Sequence, residues 1–270
     1  MMVAAREASL GPIHLGRLTV DAGRVPDGRT SYQVLSDVVA GQRRVLDLGC
    51  GDGHLLDLLA HAHPRRLAGT EPVAEPLSVA RQRPALAGAA LAVACPSALP
   101  FPDDSFDACV SHLALAQLSD LDRVAAELAR VLAPEGVLAV VLPGGAVPGT
   151  AYEVFNDLTR SVLEEVPVDR RQPELGDRRA RHRAGLEQVL GGAGFGQVDW
   201  RTIRLDLTGG LDQVWARMVE IYDLGPLDPA ALATLRRCFD STVTVLPDGR
   251  VPCAMNLHLA VAFAPGGFTA

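Results

Sequence analysis

In VLDLGCGDGHLLDLLA, residues Val45–Ala60, three glycines alternate between two apolar runs, and a carboxylate, Glu71, ends LAGTEP twenty positions past Gly51. Gly49, Gly51 and Gly53 permit positive φ and let a ligand approach backbone with no Cβ in the way. A helix starting there turns N–H groups toward that ligand. A carboxylate about 20 residues further on can accept hydrogen bonds from both hydroxyls of a ribose, so the combination predicts a nucleoside cofactor. The spacing is G-x-G-x-G, without the third glycine of G-x-G-x-x-G. Taken alone the glycines therefore also fit a plain strand-to-helix turn, and a nicotinamide dinucleotide is the weaker choice.

His112, in VSHLALAQL, is the candidate proton acceptor, because a neutral imidazole titrates near pH 7. Its alternatives are a positioning or a purely structural histidine. His54, His61 and His63 do not form a metal site on this spacing: residues two apart on a helix face different ways, and no thiol or carboxylate completes the set. The run Arg178–Arg183, RRARHR, either clamps an acidic group or is solvated. Trp200 and Trp215 fit a core, Trp215 alternatively lines a pocket, and Tyr32 on the early helix can close that pocket from the other side.

Alternating elements must position these residues. The pattern predicts a helix over Ser31–Ala40 capped by Thr30 or Ser31, and strands over Arg44–Leu48, Arg66–Thr70, Leu91–Cys95, Phe106–Ser111 and Val137–Leu142. Helices over Gly53–His61, Glu75–Gln82 and Leu121–Leu132 lie between them, the last closed by Pro134-Glu135-Gly136. Strands alternating with helices mean an α/β, doubly wound, mostly parallel sheet. Beyond Pro143 the texture changes: a helical patch, YEVFNDLTRSVLEEV, is followed by a charged, proline-broken stretch. A helix at Gly185–Leu190, a strand at Val198–Leu207, helices at Leu211–Tyr222 and Pro229–Phe239, a turn at LPDGRV and a strand at Met255–Phe263 complete the chain. The expected organisation is an N-terminal arm over 1–30 and one α/β domain over 31–270, with cap elements at about 144–183 and 208–243.

Composition bounds the rest. With 270 residues, 48% hydrophobic and 21% charged, the chain can bury a large core and reads as neither disordered nor membrane-spanning. Its net charge of −7 supplies no basic field for a nucleic acid. Met1–Leu10 lacks the apolar stretch of a secretory signal, so the expected location is the cytoplasm. Five scattered cysteines without a CxxC pair imply neither a disulfide framework nor zinc.

The segments VLDLGCGDG, GTEP, ALPFPDDSFDACVS and ELARVLAPEGVLAVVLPG, in that order and at these distances, resemble the class I S-adenosylmethionine-dependent methyltransferases that modify small molecules. The resemblance implies a seven-stranded Rossmann-like sheet and S-adenosylmethionine as cofactor. It implies that Asp47 and the backbone of Gly49, Cys50, Gly51 and Gly53 hold the methionine portion. Glu71 and Pro72 would hold the ribose, Cys95, Pro96 and Ser97 would stand at the adenine, and Ser111 would line the cofactor. Cys95 occupies the place where relatives carry an acid for the adenine amino group; a thiol accepts poorly, so backbone or Ser97 must substitute. His112 then faces the transferred methyl as the catalytic residue, and Tyr32, Gln117, Trp215 and Met218 contact the substrate. The implied function is methyl transfer to oxygen or nitrogen of a small molecule of secondary, natural-product metabolism, by a monomer or homodimer with no metal, nucleic-acid or membrane partner. Two alternatives keep the fold: a cyclisation or rearrangement without methyl transfer, and a non-catalytic cofactor-binding subunit.

Overall fold

The computed structural model describes residues 23–62, 66–164, 176–222, 224 and 227–266. Most of the expected arm, His63 and residues 165–175 of the expected cap lie outside them. In chain order the elements are α1 (Ser31–Val38), β1 (Arg44–Leu48), α2 (His54–Ala62), β2 (Arg66–Glu71), α3 (Ala74–Ala80), β3 (Ala90–Val93), β4 (Phe106–His112), α4 (Leu121–Val131) and β5 (Leu132–Ala146). Then come α5 (Ala151–Glu164), α6 (Arg183–Gly192), β6 (Asp199–Asp206), β7 (Gly209–Gly210), α7 (Leu211–Ile221), α8 (Pro229–Thr242), β8 (Arg250–Val251) and β9 (Ala254–Phe263).

Seven strands form one sheet in the order β3-β2-β1-β4-β5-β9-β6. The pairs β1 with β2, β1 with β4, β2 with β3 and β4 with β5 are all parallel. Parallel strands must be covered on both faces, which is why β1 and β4 are buried almost end to end and read as apolar runs. Helix α4 shows the complementary logic. Leu121, Val124, Ala125, Leu128 and Val131 recur at helical spacing and are all buried, while Asp122, Arg123, Glu127 and Arg130 fall between them. The helix stops at Val131, one residue short of the expected end, because Leu132 is already extended and β5 begins there. The bend at Pro134-Glu135-Gly136 falls inside that strand, with Glu135 at φ 60°.

Two partly exposed ion pairs, each extended by backbone hydrogen bonds, fix the far end of the sheet and the β3–β4 connection. Asp107 accepts from the N–H groups of Arg43 and Arg44 and from the Arg44 guanidinium. Arg130 binds Glu127 and the carbonyls of Leu99 and Phe101, and Glu127 in turn accepts from the Leu99 N–H.

The chain separates into two compact units, each to the extent of the described residues. One comprises Ser31–Pro143, Gly176–Thr202 and His258–Ala270; the other comprises Met1–Thr30, Gly144–Leu175 and Ile203–Leu257. The second unit holds an aromatic cluster in which Trp215 packs on Phe155 and Phe239 at 5.6 and 5.3 Å, with the Arg236 guanidinium over its ring. Met218 there is fully buried. Among the described residues no helix is long and apolar enough to cross a membrane.

Candidate functional site

The carboxyl ends of β1, β2 and β4 lie side by side, so the residues just beyond them share one rim of the first unit. At the end of β1 the chain turns through Gly49, Gly51 and Gly53, all at positive φ (74°, 53° and 81°). Their surroundings differ. A Cβ on Gly49 would stand 2.3 Å from the Cβ of Ala114, and one on Gly53 would stand 2.9 Å from Ala80 and Leu86. At Gly51 it would meet nothing within 4 Å. Gly49 and Gly53 thus let the chain pack on itself, and Gly51 alone faces open space.

The loop's N–H groups are less available than the sequence suggests. Those of Gly49 and Cys50 donate to the Thr70 carbonyl, that of Gly53 to Cys50, and that of His54 to the Asp52 side chain. The Gly51 N–H donates to Glu71 Oε2 at 3.1 Å, and the other carboxylate oxygen accepts from Val73 N–H at 3.4 Å. Glu71 is thereby held over the bend, twenty residues from Gly51, as the spacing predicts. Cys50 turns its thiol inward against Gly69, and burial pushes that thiol's pKa up.

Asp47, on β1 beneath this bend, is 2% exposed. Burial, and secondarily the charge of Glu71, push its pKa up to about 8. A carboxyl in that position becomes a carboxylate when a cation is brought beside it. Around Glu71 two apolar side chains, Val73 and Val93, are 53% and 50% exposed, and Val93 is the register partner of Glu71. Such exposure on the rim is suited to a flat apolar ring. The sequence reading missed both; the isolated valine in EPVAEP was the available signal. Pro72 and Cys95 are exposed nearby, with Pro96 and Ser97 half-buried. Cys95 Sγ lies 3.2 Å from Ser97 Oγ, a hydrogen bond that lowers the thiol's pKa.

At the end of β4, His112 is 8% exposed. Its ring stacks on Tyr32 at 3.7 Å, and Tyr32 meets His54 edge-on at 4.8 Å. Nε2 lies 2.8 Å from Ser31 Oγ, and Nδ1 is buried with no partner among the described residues. Burial, reinforced by the nearby His54, lowers the ring's pKa to about 3. The expected proton acceptor is therefore neutral and weakly basic. Ser31, expected only as a helix cap, is a partner of His112 that spacing could not reveal, since 81 positions separate the two.

Several expected contact residues have other partners in the structure. Ser111 is fully buried and ties β4 to β1: its hydroxyl donates to Leu48 O and accepts from Leu115 N, so it is a brace. Gln117 is exposed at the end of a short 3-10 turn, Leu115–Gln117. Met218 and Trp215 belong to the aromatic core of the second unit, because an amphipathic helix buries its large apolar side chains first. The arginine run is no free clamp. Arg179 binds Asp177 and Asp122, Arg183 binds Glu187, and His182 caps α6 by accepting from Gly185 N–H. His61 bonds to the Asp57 carbonyl, and the described residues contain no group of three metal-ligating side chains.

Comparison with known proteins agrees with this geometry. A family model described as a methyltransferase domain matches residues 46–140, the stretch from β1 to β5. A malonyl-[acyl-carrier protein] O-methyltransferase of Halorhodospira halophila is 31% identical over 244 residues, covering 86% of this chain and 78% of that protein. Among solved structures, the YcgJ protein of Bacillus subtilis superposes with a TM-score of 0.57 at 20% identity, over 88% of this chain and 99% of that one. The [4+2]-cyclase SpnF gives 0.56 at 22% identity, over 95% and 90%. At those identities the two structures establish the shared fold.

Proposed function

Because this chain belongs to the class I S-adenosylmethionine-dependent methyltransferases, we propose that it binds S-adenosylmethionine at the glycine bend and methylates an oxygen of a small molecule, in natural-product metabolism. The observation that carries the cofactor assignment is the Glu71 carboxylate, held by Gly51 N–H at 3.1 Å beside the one glycine of the bend with open space around it.

The residues present fit that cofactor. Glu71 would accept from the ribose hydroxyls, and exposed Val73 and Val93 would flank the adenine. Asp47, uncharged for want of a cation beside it, would regain its charge next to the ammonium of the methionine portion. When bound, S-adenosylmethionine supplies an electrophilic methyl group on a positively charged sulfur.

The chain's own task is then alignment and exclusion of water. Tyr32 and His112, stacked and nearly closed to solvent, provide a rigid, dry wall at the end of β4. Oxygen is favoured over nitrogen by the H. halophila relative, an O-methyltransferase aligned along most of both chains. Cys95 and Ser97 remain the adenine-side polar contacts in this reading, through backbone and hydroxyl.

Calorimetric titration with S-adenosylhomocysteine tests the cofactor half, and no binding would end it. Incubation with methyl-labelled cofactor and a panel of small acceptors, followed by mass measurement, tests the reaction. A product heavier by one methyl supports transfer; a rearranged product of unchanged mass would favour the cyclase type of chemistry.

A further inference from the structure

We infer that Ser31 holds His112 as a hydrogen-bond donor through Nδ1, so that the acceptor substrate presents an already ionised oxygen, a carboxylate or a comparably acidic group. This rests on the methyltransferase reading above and deepens it to a substrate class.

The inference comes from counting hydrogens. Ser31 is fully buried, His112 nearly so, and Oγ lies 2.8 Å from Nε2. The pair carries two polar hydrogens, one on the hydroxyl and one on the neutral ring. The single hydrogen bond between them uses one. Among the described residues Nδ1 has no partner and the Ser31 hydroxyl has no second one.

Two arrangements satisfy the distance. In the first, Nε2–H donates to Ser31, which leaves the hydroxyl hydrogen without an acceptor and the Nδ1 lone pair without a donor. In the second, the hydroxyl donates to Nε2, and the unmet hydrogen is the one on Nδ1. One incoming acceptor at Nδ1 completes the second. No single partner at Nδ1 completes the first, because the hydroxyl hydrogen stays unmet in a site closed to water. Buried donors are the groups proteins leave unpaired least often.

The second arrangement has a chemical consequence. The ring's lone pair, on Nε2, is engaged by the Ser31 hydroxyl, and Nδ1 already bears its own hydrogen, so the ring cannot take a proton from an oxygen seated at Nδ1. Burial, which disfavours the imidazolium, acts in the same direction. His112 therefore orients an oxygen that needs no deprotonation, and no proton requires a destination. Water does not reach Nδ1, so the oxygen arrives with a side-chain movement. Tyr32, stacked on the ring and carried on the same helix as Ser31, is the neighbour placed to make it.

The tautomer can be measured directly. In the full chain labelled with 15N-histidine, with His112→Asn identifying the signal, long-range proton–nitrogen spectra at neutral pH should place the ring hydrogen on Nδ1. Ser31→Ala should convert this to a mixture of tautomers, and Ser31→Thr should restore it. A ring hydrogen on Nε2 in the unmodified chain overturns the inference, as does a signal indifferent to Ser31→Ala. In a second arm, methyl transfer from S-adenosylmethionine to short monocarboxylates should exceed transfer to the matched alcohols at least tenfold; preference for the alcohols overturns the substrate class. No transfer to either, with the hydrogen on Nδ1, overturns the methyltransferase reading and the substrate class with it, while the donor assignment stands.

Discussion

At the glycine bend the chain buries Asp47 and holds Glu71 close enough to raise the cost of ionising it, and leaves open space at Gly51. In the aromatic cluster of the second unit, by contrast, the polar groups close on one another. The Tyr222 hydroxyl bonds to Tyr152 at 3.0 Å and to Asn156, and burial drives the pKa of both tyrosines up, that of Tyr222 to about 12. Both regions contain the residue types associated with function. What separates them is whether the local charges and hydrogen bonds are already balanced. An unbalanced group is a request for a ligand, and a balanced one is a packing element.

Substitutions can break that contrast. Met218→Ala should lower stability by about 2–5 kcal/mol, the scale for truncating a buried Met, with cofactor affinity unchanged. Chemical unfolding beside calorimetry checks both halves, and a large loss of affinity in a folded variant would move Met218 back into the site. Gly49→Ala should also act on the fold, by about 2–5 kcal/mol, since positive φ and a 2.3 Å approach to Ala114 add together. Gly51→Ala meets no neighbour, so it should cost only about 1–2 kcal/mol of stability and weaken S-adenosylhomocysteine binding instead. Equal effects of the two glycine variants on unfolding would erase the distinction drawn between them.

Glu71→Ala should weaken cofactor binding by about 1.5–3 kcal/mol, the range for charge-assisted hydrogen bonds, while leaving unfolding nearly unchanged. The smallest effect is one of pH. An acid raised from 3.8 to about 8 binds more protons in the folded than in the unfolded chain between those values, so Asp47 makes the ligand-free protein less stable as pH climbs from about 4 to about 8. A cationic ligand that favours the carboxylate must expel that proton below pH 8. Affinity for S-adenosylhomocysteine should therefore rise with pH, by at most about tenfold per unit, and level off above 8. Asp47→Asn should flatten the profile; a slope that survives the substitution would assign it to another group.

The fold was legible because its signals are local. β1 begins and ends where the apolar run does, and α4 ends within a residue of its expected boundary. Glu71 was legible for a related reason: a strand, a turn and a helix have fixed lengths, so a carboxylate twenty residues past Gly51 returns to the bend. The rest depended on neighbours distant in sequence. Gly49 and Gly51 are the same residue two positions apart, and only Ala114 tells them apart. Ser111 and Ser31 are both serines beside a functional element; one is consumed by backbone partners and the other holds a histidine 81 residues away. Trp215 and Met218 carry types common in binding sites, yet α7 buries Met218 fully and sets half-buried Trp215 against Phe155 and Phe239, as a core helix does.

Cys95 gives the rim a built-in reporter. Its thiol is exposed, two residues past the end of β3, and Ser97 eases its ionisation, whereas Cys50, Cys109 and Cys253 are buried with their thiols harder to ionise. Cys238, half-buried on α8, supplies an internal control in the other unit. An alkylating reagent applied to the unmodified chain should tag Cys95 first, and a nucleoside seated between Val73 and Val93 should shield it. Occupancy of the bend thus becomes countable by peptide mass, without a substrate in hand.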